Sequence, residues 1–211
     1  MCTTNSTFNS YGTTVFELMS RLAAEHKSIN LGQGFPDDYG PNIVLQKASE
    51  YLFDLPNQYP PMLGVPELRQ AVAAHNKRFY GLDIDWKTET MVSSGATEGL
   101  AACFLGLLNQ GDEVVVIEPL YDCYLPMIER AGGIPKRVSI EPPDWKLNGS
   151  ALRAAFSNKT KLVLINSPQN PSSKVYHREE LLLIADLVKE HDAIAICDEV
   201  YEHMVYDHRQ H

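Results

Sequence analysis

Polar and aromatic side chains follow four short apolar runs of the sequence, at the points where those runs end. The four segments are Gly95-Ala96-Thr97, Glu118-Pro119-Leu120-Tyr121, Asn166 to Asn170, and Asp198-Glu199-Val200-Tyr201. In an open parallel sheet, ligands bind at the carboxyl ends of the strands. If the apolar runs are strands of one such sheet, these side chains converge on a single binding edge.

The segment that begins at Gly95 has the features of a phosphate site. Glycine allows a sharp backbone turn, and the first amides of a following helix, at Ala96, Thr97 and Glu98, would point toward an anion with the helix dipole behind them. The structural alternative is a tight turn with ordinary capping. Dinucleotide binding, with Glu118 as the ribose-binding acid, is disfavoured because Gly95 to Gly99 lacks the Gly-x-Gly-x-x-Gly spacing.

Asp198 follows a five-residue apolar run, where a carboxylate is costly unless a cation or a hydrogen-bond donor meets it. A protonated pyridine nitrogen would serve, and the alternative is a surface acid just beyond a strand. Tyr201 lies three residues further on and would reach the same pocket, or else belong to the core. The presence of Asn166 and Asn170 is explained as well by turn formation alone as by a role in ligand binding.

Short apolar runs that alternate with helical patterns must position these residues. The alternation predicts an α/β fold, a three-layer sandwich with a mainly parallel sheet between helices. Apolar runs at 114–117, 162–165 and 193–197 are expected to be strands buried on both faces. The predicted strands are 90–93, 113–117, 134–139, 161–166 and 193–197, and the predicted helices are 13–25, 42–52, 67–80, 96–108, 121–131, 149–156 and 178–190.

Composition and charge narrow the class of protein. The chain has 211 residues, of which 44% are hydrophobic and 21% charged, as in globular proteins. A net charge of −9 would repel a phosphate backbone, so a nucleic-acid partner is not expected. The longest apolar stretches are about half of what a bilayer crossing needs, and the N-terminus lacks the pattern of a signal peptide. We therefore expect a cytoplasmic protein without a membrane partner.

The cysteines and histidines do not form a recognisable metal or disulfide pattern. Four cysteines, Cys2, Cys103, Cys123 and Cys197, are irregularly spaced, and two of them lie inside apolar runs, which favours reduced core thiols. Three histidines near the end of the chain are expected to be solvated and to bind no metal. They are His203, His208 and His211.

Six ordered motifs together resemble the class I aminotransferases that use pyridoxal phosphate, and most closely the kynurenine and methionine aminotransferase branch. The resemblance extends over the chain from about Tyr11. The motifs are Asn30-Leu31-Gly32-Gln33-Gly34-Phe35-Pro36-Asp37, Asn57-Gln58-Tyr59, Gly95-Ala96-Thr97-Glu98, Glu118 to Tyr124, Asn166 to Pro171, and Asp198-Glu199-Val200-Tyr201.

The resemblance assigns a cofactor role to seven of these residues. Gly95, Ala96 and Thr97 match the turn that binds the cofactor phosphate, and Tyr121 matches the aromatic ring stacked on the pyridine. The remaining three contact the ring's polar atoms: Asn170 and Tyr201 match the residues that bind the 3-hydroxyl oxygen, and Asp198 matches the carboxylate paired with the pyridinium nitrogen.

Two further matches concern substrate and partner subunit. Gly34 matches a backbone contact near the substrate carboxylate. Tyr59 matches a tyrosine that reaches the cofactor phosphate of the neighbouring subunit, which implies a homodimer. The resemblance also implies two domains in this chain, an N-terminal arm with part of a small domain at 1–45 and the N-terminal portion of the large cofactor-binding domain at 46–211.

The sequence departs from the family pattern in two places. Ser173 precedes Lys174 where the family commonly has Gly, so the turn needs a backbone that Ser can adopt. The Schiff-base lysine of the family lies beyond the motif that begins at Asp198, yet all ten lysines precede Asp198, mostly in polar settings. We expect that lysine beyond His211, in an enzyme about twice as long, and no catalytic residue in this chain.

The function implied by the resemblance is transfer of an amino group from an amino acid to a 2-oxo acid, with aromatic or sulfur-containing amino acids favoured as donors. One alternative on the same scaffold is β-elimination from cysteine conjugates. Another is a truncated product without activity.

Overall fold

The computed structural model of the chain describes residues 5–34, 36 and 38–211. The helices are α1 (Ser6–Asn9), α2 (Val15–Glu25), α3 (Asn42–Asp54), α4 (Pro66–Tyr80), α5 (Gly95–Leu107), α6 (Tyr124–Arg130), α7 (Gly149–Ala155) and α8 (Arg178–Glu190). The strands are β1 (Glu113–Glu118), β2 (Ile134–Ser139), β3 (Thr160–Asn166) and β4 (Ile194–Asp198). These elements form two compact units, one at Thr13–Ser94 and the other comprising Gly95–His211 together with the N-terminal segment up to Gly12. The predicted domain boundary at 45/46 stays a prediction.

The larger unit is built on a parallel sheet with strand order β2-β1-β3-β4. Alternate residues of the two central strands face opposite layers of helix, as the period of a strand requires. Val115 and Val163 pack with Leu152 and Leu187 of α7 and α8, whereas Val114 packs with residues of α5 and α6. The three-layer α/β architecture expected from the sequence is confirmed.

Burial of the two central strands explains why their sequences are continuously apolar. All residues from Val114 to Ile117 and from Leu162 to Ile165 are buried, because helices cover both faces of the sheet there. Each fully buried Val, Leu or Ile contributes about 1.5–3 kcal/mol to folding. The centre of the sheet is therefore a rigid base for the loops that follow β1 and β3.

The prediction that 193–197 is buried on both faces is wrong. β4 is the last strand of the four-stranded sheet and is only partly covered, with Ile194 40% exposed. The prediction of core thiols at Cys103 and Cys197 is also wrong, because both are exposed, Cys197 on β4 itself. Cys103 lies on α5, whose apolar surface continues around the helix although only Leu100 and Phe104 are buried. The three described cysteines are free thiols, and Cys2 lies outside the described residues.

Two other predicted elements differ from the structure. Residues 90–93 form no strand. Val92 donates one backbone hydrogen bond to Leu63, and the carbonyl of Thr90 accepts a hydrogen bond from the side chain of Arg69. Helix α6 begins at Tyr124 rather than at 121, which leaves Tyr121 in the turn before it. The short helix α1 has no counterpart among the predicted elements.

The smaller unit consists of α2, α3 and α4 with their loops. Gly81 ends α4 in the left-handed conformation at φ +70, as is common after the last residue of a helix. The guanidinium group of Arg69 donates hydrogen bonds to the carbonyls of Trp86, Lys87 and Thr90 and so fixes the loop that follows α4. Within the described part of the chain, no helix combines the length and apolar character that spanning a membrane requires.

A buried ion pair anchors the loop between β3 and α8. Lys174 Nζ lies 2.8 Å from Glu180 Oε1 and 4.9 Å from the ring centre of Tyr176. Glu180 also accepts hydrogen bonds from the backbone amides of Leu147 and His177. Lys174 is thus a structural cation, an exception to the polar settings expected for most of the lysines.

Breaking this pair should be costly and pH-dependent. Burial acts to raise the pKa of the Glu180 carboxyl group, but the hydrogen bonds from Lys174, His177 and Leu147 outweigh it and hold that pKa below the ordinary 4.5. The stabilisation is therefore present above that value and is lost as pH falls below it. We expect Lys174→Met to lower the free energy of unfolding by about 3 kcal/mol at pH 7, measured by urea denaturation. The cost of Glu180→Gln should shrink between pH 6 and pH 3, and a pH-independent cost would contradict the assignment.

Candidate functional site

Three polar residues end neighbouring strands at one edge of the sheet. They are Glu118 of β1, Asn166 of β3 and Asp198 of β4. Because the strands are parallel, their carboxyl ends meet at the same edge, and Asn166 and Asp198 are partners in the strand register. The structure therefore places the predicted strand-end residues of this unit on one side of the sheet.

The carboxylate of Asp198 is held at both oxygens. The Tyr124 hydroxyl donates a hydrogen bond of 2.7 Å to Oδ2, and the amide of Val200 donates one of 3.3 Å to Oδ1. Burial and the neighbouring carboxylate raise the pKa of the Tyr124 phenol well above its ordinary value of 10, so the phenol stays protonated and donates. The donor that the sequence required for Asp198 is present in the protein itself, and Tyr124 is a site residue that the sequence prediction missed.

Tyr121, the predicted stacking residue, lies beside this pair. Its ring meets the ring of Tyr124 edge-on, with centroids 5.8 Å apart and an interplanar angle of 72°. Burial and then the negative charge of Asp122 raise the pKa of Tyr121, and Tyr201 and Asp198 contribute to the same shift. Tyr121, Tyr201 and Asp198 are thus close enough to interact electrostatically.

The predicted phosphate turn begins α5. Gly95 has φ +76, the left-handed conformation that glycine adopts most readily, and the helix starts at this residue. Burial raises the pKa of the Cys123 thiol to about 11, Asp122 adds to the rise, and the neighbouring Thr97 side chain opposes it. Thr97 therefore lies near the segment that carries Tyr121 and Tyr124.

Gly95→Ala should test whether this turn needs its backbone conformation. An added Cβ would meet no atom within 4 Å, so any cost comes from φ +76 and not from a clash. We expect a loss of about 1 kcal/mol in the free energy of unfolding and a weaker affinity for inorganic phosphate, measured by denaturation and by calorimetry. Gly106→Ala is the matched control, since it also lies in α5 with open space around it. Equal results for the two variants would contradict a special role for Gly95.

Asn166 links the ends of β3 and β4 to the loop that carries Asn170. Its side-chain amide donates to the backbone oxygen of Asp198 at 2.9 Å and accepts from the amide of Asn170 at 2.7 Å. The sequence placed Asn166 at a strand end but assigned it no function. The hydrogen bonds of Asn166 to Asp198 and Asn170 depend on the pairing of β3 with β4, so they cannot be predicted from the sequence.

Ser173 adopts the conformation in which the family commonly has Gly. Its φ is +59, and its amide donates to the Gln169 oxygen at 2.7 Å. Left-handed backbone costs a residue with a Cβ about 1 kcal/mol or more, and the greater freedom of Gly in the unfolded chain offsets part of the gain. We expect Ser173→Gly to raise the free energy of unfolding by about 0.5 kcal/mol, measured by urea denaturation. Ser173→Val should lower it by more than that, and the reverse order would contradict the strain.

The other two predicted site residues, Gly34 and Tyr59, belong to the smaller unit. Both are exposed, and Tyr59 is 94% exposed with φ +53. Their substrate and partner-subunit roles stay predictions. Two residues of the first family motif, Phe35 and Asp37, lie outside the described residues.

The residues at the sheet edge fit the chemistry of pyridoxal phosphate. A helix that starts at a left-handed Gly suits a phosphate, and Tyr121 supplies an aromatic ring. Asp198 supplies an oriented carboxylate for a basic ring nitrogen. An aromatic heterocycle with an anionic group at one end and a basic nitrogen at the other would therefore meet the start of α5 with the first and the carboxylate of Asp198 with the second.

Comparison with known proteins gives the same family. Residues 26–211 match the model of aminotransferase class I and II. The chain is 44% identical over 210 residues to the probable N-succinyldiaminopimelate aminotransferase DapC of Mycobacterium tuberculosis, which covers 99% of this chain and 53% of the relative. The solved structure of that enzyme superposes with a TM-score of 0.95, covering 99% of this chain and 55% of that one.

Two other relatives agree. The methionine aminotransferase of Escherichia coli is 40% identical over 95% of this chain and 52% of its own length, and the human kynurenine–oxoglutarate transaminase 1 is 40% identical over 90% and 48%. The chain spans about half the length of the curated relatives it matches. From the matched family model, these relatives and the shared fold, the chain belongs to the class I and II aminotransferases, a family of pyridoxal-phosphate-dependent enzymes.

Proposed function

We propose that the full-length enzyme carrying this chain transfers an amino group from an amino acid to a 2-oxo acid. The observation that carries the proposal is the carboxylate of Asp198, fixed by Tyr124 and Val200 at the carboxyl edge of a parallel sheet, beside Tyr121 and Tyr201. The cofactor-bearing lysine is proposed to lie beyond His211, because Lys174, the one buried lysine among the described residues, is paired with Glu180.

Seven residues would hold the cofactor. When bound, pyridoxal phosphate supplies an electron sink that weakens the bond between the substrate's α-carbon and its proton. The amides at Gly95, Ala96 and Thr97 would bind its phosphate. Tyr121 would cover a face of the ring, and Asn170 and Tyr201 would donate hydrogen bonds to the 3-hydroxyl oxygen.

Asp198 would keep a proton on the ring nitrogen. Its carboxylate is pre-oriented by two hydrogen bonds, so little reorganisation is needed when a cation arrives. A close charge pair in a site sheltered from water is stronger than one at the surface, which is why the acid ends a strand and not an exposed loop. The electron-withdrawing power of the ring depends on that proton.

The donor is proposed to be an aromatic or sulfur-containing amino acid. The support is the similarity to a methionine aminotransferase and a kynurenine–oxoglutarate transaminase. N-succinyldiaminopimelate is a second candidate donor, favoured by the 44% identity to the mycobacterial enzyme. Gly34 is proposed to contact the substrate carboxylate, and Tyr59 to reach the cofactor phosphate of a second copy in a homodimer.

The proposal is tested by assaying the full-length enzyme with pyridoxal phosphate and 2-oxoglutarate against methionine, kynurenine, phenylalanine and N-succinyldiaminopimelate. We expect glutamate to form only when both donor and acceptor are present. Release of pyruvate and ammonia from a cysteine conjugate without any 2-oxo acid would instead show β-elimination. A purified, cofactor-loaded enzyme that forms no glutamate from any amino donor would overturn the proposal.

A further inference from the structure

Asn166 is a buried polar residue between two predicted cofactor contacts. It ends β3 and pairs in register with Asp198, the last residue of β4. Its exposed fraction is 6%, so its side chain must find hydrogen-bond partners within the protein.

The side-chain amide of Asn166 uses both of its polar atoms on the backbone. Nδ2 donates to the carbonyl oxygen of Asp198 at 2.9 Å, and Oδ1 accepts from the amide of Asn170 at 2.7 Å. The orientation of the amide is fixed by these partners, because a carbonyl can only accept and an N–H can only donate. The amide of Ser167 also donates to the Asp198 oxygen, at 3.1 Å, so the end of β4 is held at two points.

Few side chains can replace an amide in this position. The site requires one donor and one acceptor about as far apart as the two atoms of a carboxamide. A carboxylate of the same shape offers two acceptors and would face the Asp198 carbonyl without a proton between them. An apolar side chain would leave the amide of Asn170 without its acceptor and the Asp198 oxygen with only the amide of Ser167. An unpaired buried group costs roughly 1–3 kcal/mol, which corresponds to about tenfold or more in an equilibrium constant.

We propose that Asn166 is a positioning residue for the cofactor ring. It does not touch the ring. By joining the backbone at Asp198 to the backbone at Asn170, it sets the spacing between the group that meets the ring nitrogen and the group that meets the 3-hydroxyl oxygen. The inference rests on the proposed function, which assigns those contacts to Asp198 and Asn170.

The test compares Asn166→Asp and Asn166→Ala in the full-length enzyme. The dissociation constant for pyridoxal phosphate is measured by absorbance and fluorescence from pH 8 to pH 5.5. We expect both variants to bind about tenfold or more weakly than wild type at pH 8. The introduced carboxyl group has a pKa raised by burial, and once protonated it has a donor and an acceptor like the native amide. The Asn166→Asp variant should therefore approach wild type as pH falls, whereas Asn166→Ala should not recover.

Other titrating groups near Asn166 are common to all the proteins compared. They are Asp198 and Tyr124, and the ratio to wild type at each pH removes their shared contribution to the dissociation constant. The matched control is Asn148→Asp, which makes the same chemical change at the N-cap of α7, where Asn148 accepts from the amides of Ser150 and Ala151. Asp caps helices as well as Asn, so this variant should bind like wild type at every pH.

A second readout does not depend on the cofactor. The amide proton of Asn170 is bonded to Asn166, so its hydrogen exchange in the 211-residue chain should be about tenfold or more faster in Asn166→Ala. Wild-type affinity in both Asn166 variants would overturn the inference. It would also be overturned if Asn166→Asp and Asn166→Ala bound the cofactor equally weakly at every pH, because that result would indicate a purely structural residue. If Asp198→Asn also left the affinity unchanged, the proposed function would fail instead.

Discussion

Replacing Asp198 by Asn is expected to lower the turnover of the full-length enzyme about a hundredfold or more. Asn keeps the shape of the side chain but removes the charge that holds a proton on the ring nitrogen. Loss of a close, sheltered charge pair costs a few kcal/mol in the transition state, and each 1.4 kcal/mol is about tenfold in rate. The measurement is kcat with the best amino donor, together with the free energy of unfolding by urea.

The effect on folding depends on which residue replaces Asp198. Asp198→Ala removes the acceptor of the buried Tyr124 hydroxyl, which then costs about 1–3 kcal/mol of stability, whereas the amide oxygen of Asn can still accept from that hydroxyl. From the sequence alone, Asp198 would be expected to have no partner until the cofactor binds, and the hydrogen bond from Tyr124 corrects that expectation. Tyr124→Phe is the matched variant, because it keeps the charge and removes only the donor. Turnover near that of wild type in Asp198→Asn would make Asp198 a surface acid beyond a strand.

The 211-residue chain by itself should form no specific lysine adduct with pyridoxal phosphate and should show no transaminase activity. Nine of its ten lysines are at least partly exposed, and the tenth, Lys174, is buried in an ion pair with Glu180. Covalent catalysis needs an amine that is free to react at the site. After borohydride reduction, peptide mass spectrometry should find sparse labelling spread over exposed lysines.

A free Lys174 is the alternative that this experiment must exclude. Lys174→Met removes the buried amine, so comparison of its labelling with that of wild type reports directly on this residue. A single stoichiometric pyridoxyl-lysine in the 211-residue chain, accompanied by turnover, would contradict the proposal that the cofactor-bearing lysine lies beyond His211.

The sequence predicted those elements whose burial is complete within the larger unit. β1 and β3 are covered on both faces, so their composition alone identifies them. β4 has the same apolar character but forms the last strand of the sheet, and no local pattern distinguishes an interior strand from one at an edge. The strand predicted at 90–93 is absent for a related reason. A strand must pair with a neighbouring strand, and here a side chain of α4 binds the backbone of this segment instead.

The candidate site was predictable where it follows from the strand ends and not where it depends on tertiary contacts. Asp198 and Asn170 come directly from the rule that ligands of parallel sheets bind at the carboxyl ends of strands, whereas Gly95 was reached through the predicted strand at 90–93, where the structure forms no strand. Tyr124 and Asn166 contact Asp198 across 74 and 32 residues of sequence, respectively, so no spacing in the sequence indicates either bond. The stacking role of Tyr121 came from the family resemblance, whereas Tyr124 lay inside the predicted helix at 121–131 and was assigned no role.

The most direct test of the proposed site is a crystal structure of the full-length enzyme loaded with pyridoxal phosphate. The ring nitrogen is predicted to lie about 2.7–2.9 Å from the carboxylate of Asp198, the distance of a charge-assisted hydrogen bond, while Tyr124 keeps its bond to the same carboxylate. The phosphate is predicted to sit at the start of α5, against Gly95, Ala96 and Thr97. A cofactor whose ring nitrogen faces another residue, or whose phosphate lies away from α5, would contradict the assignment of the site.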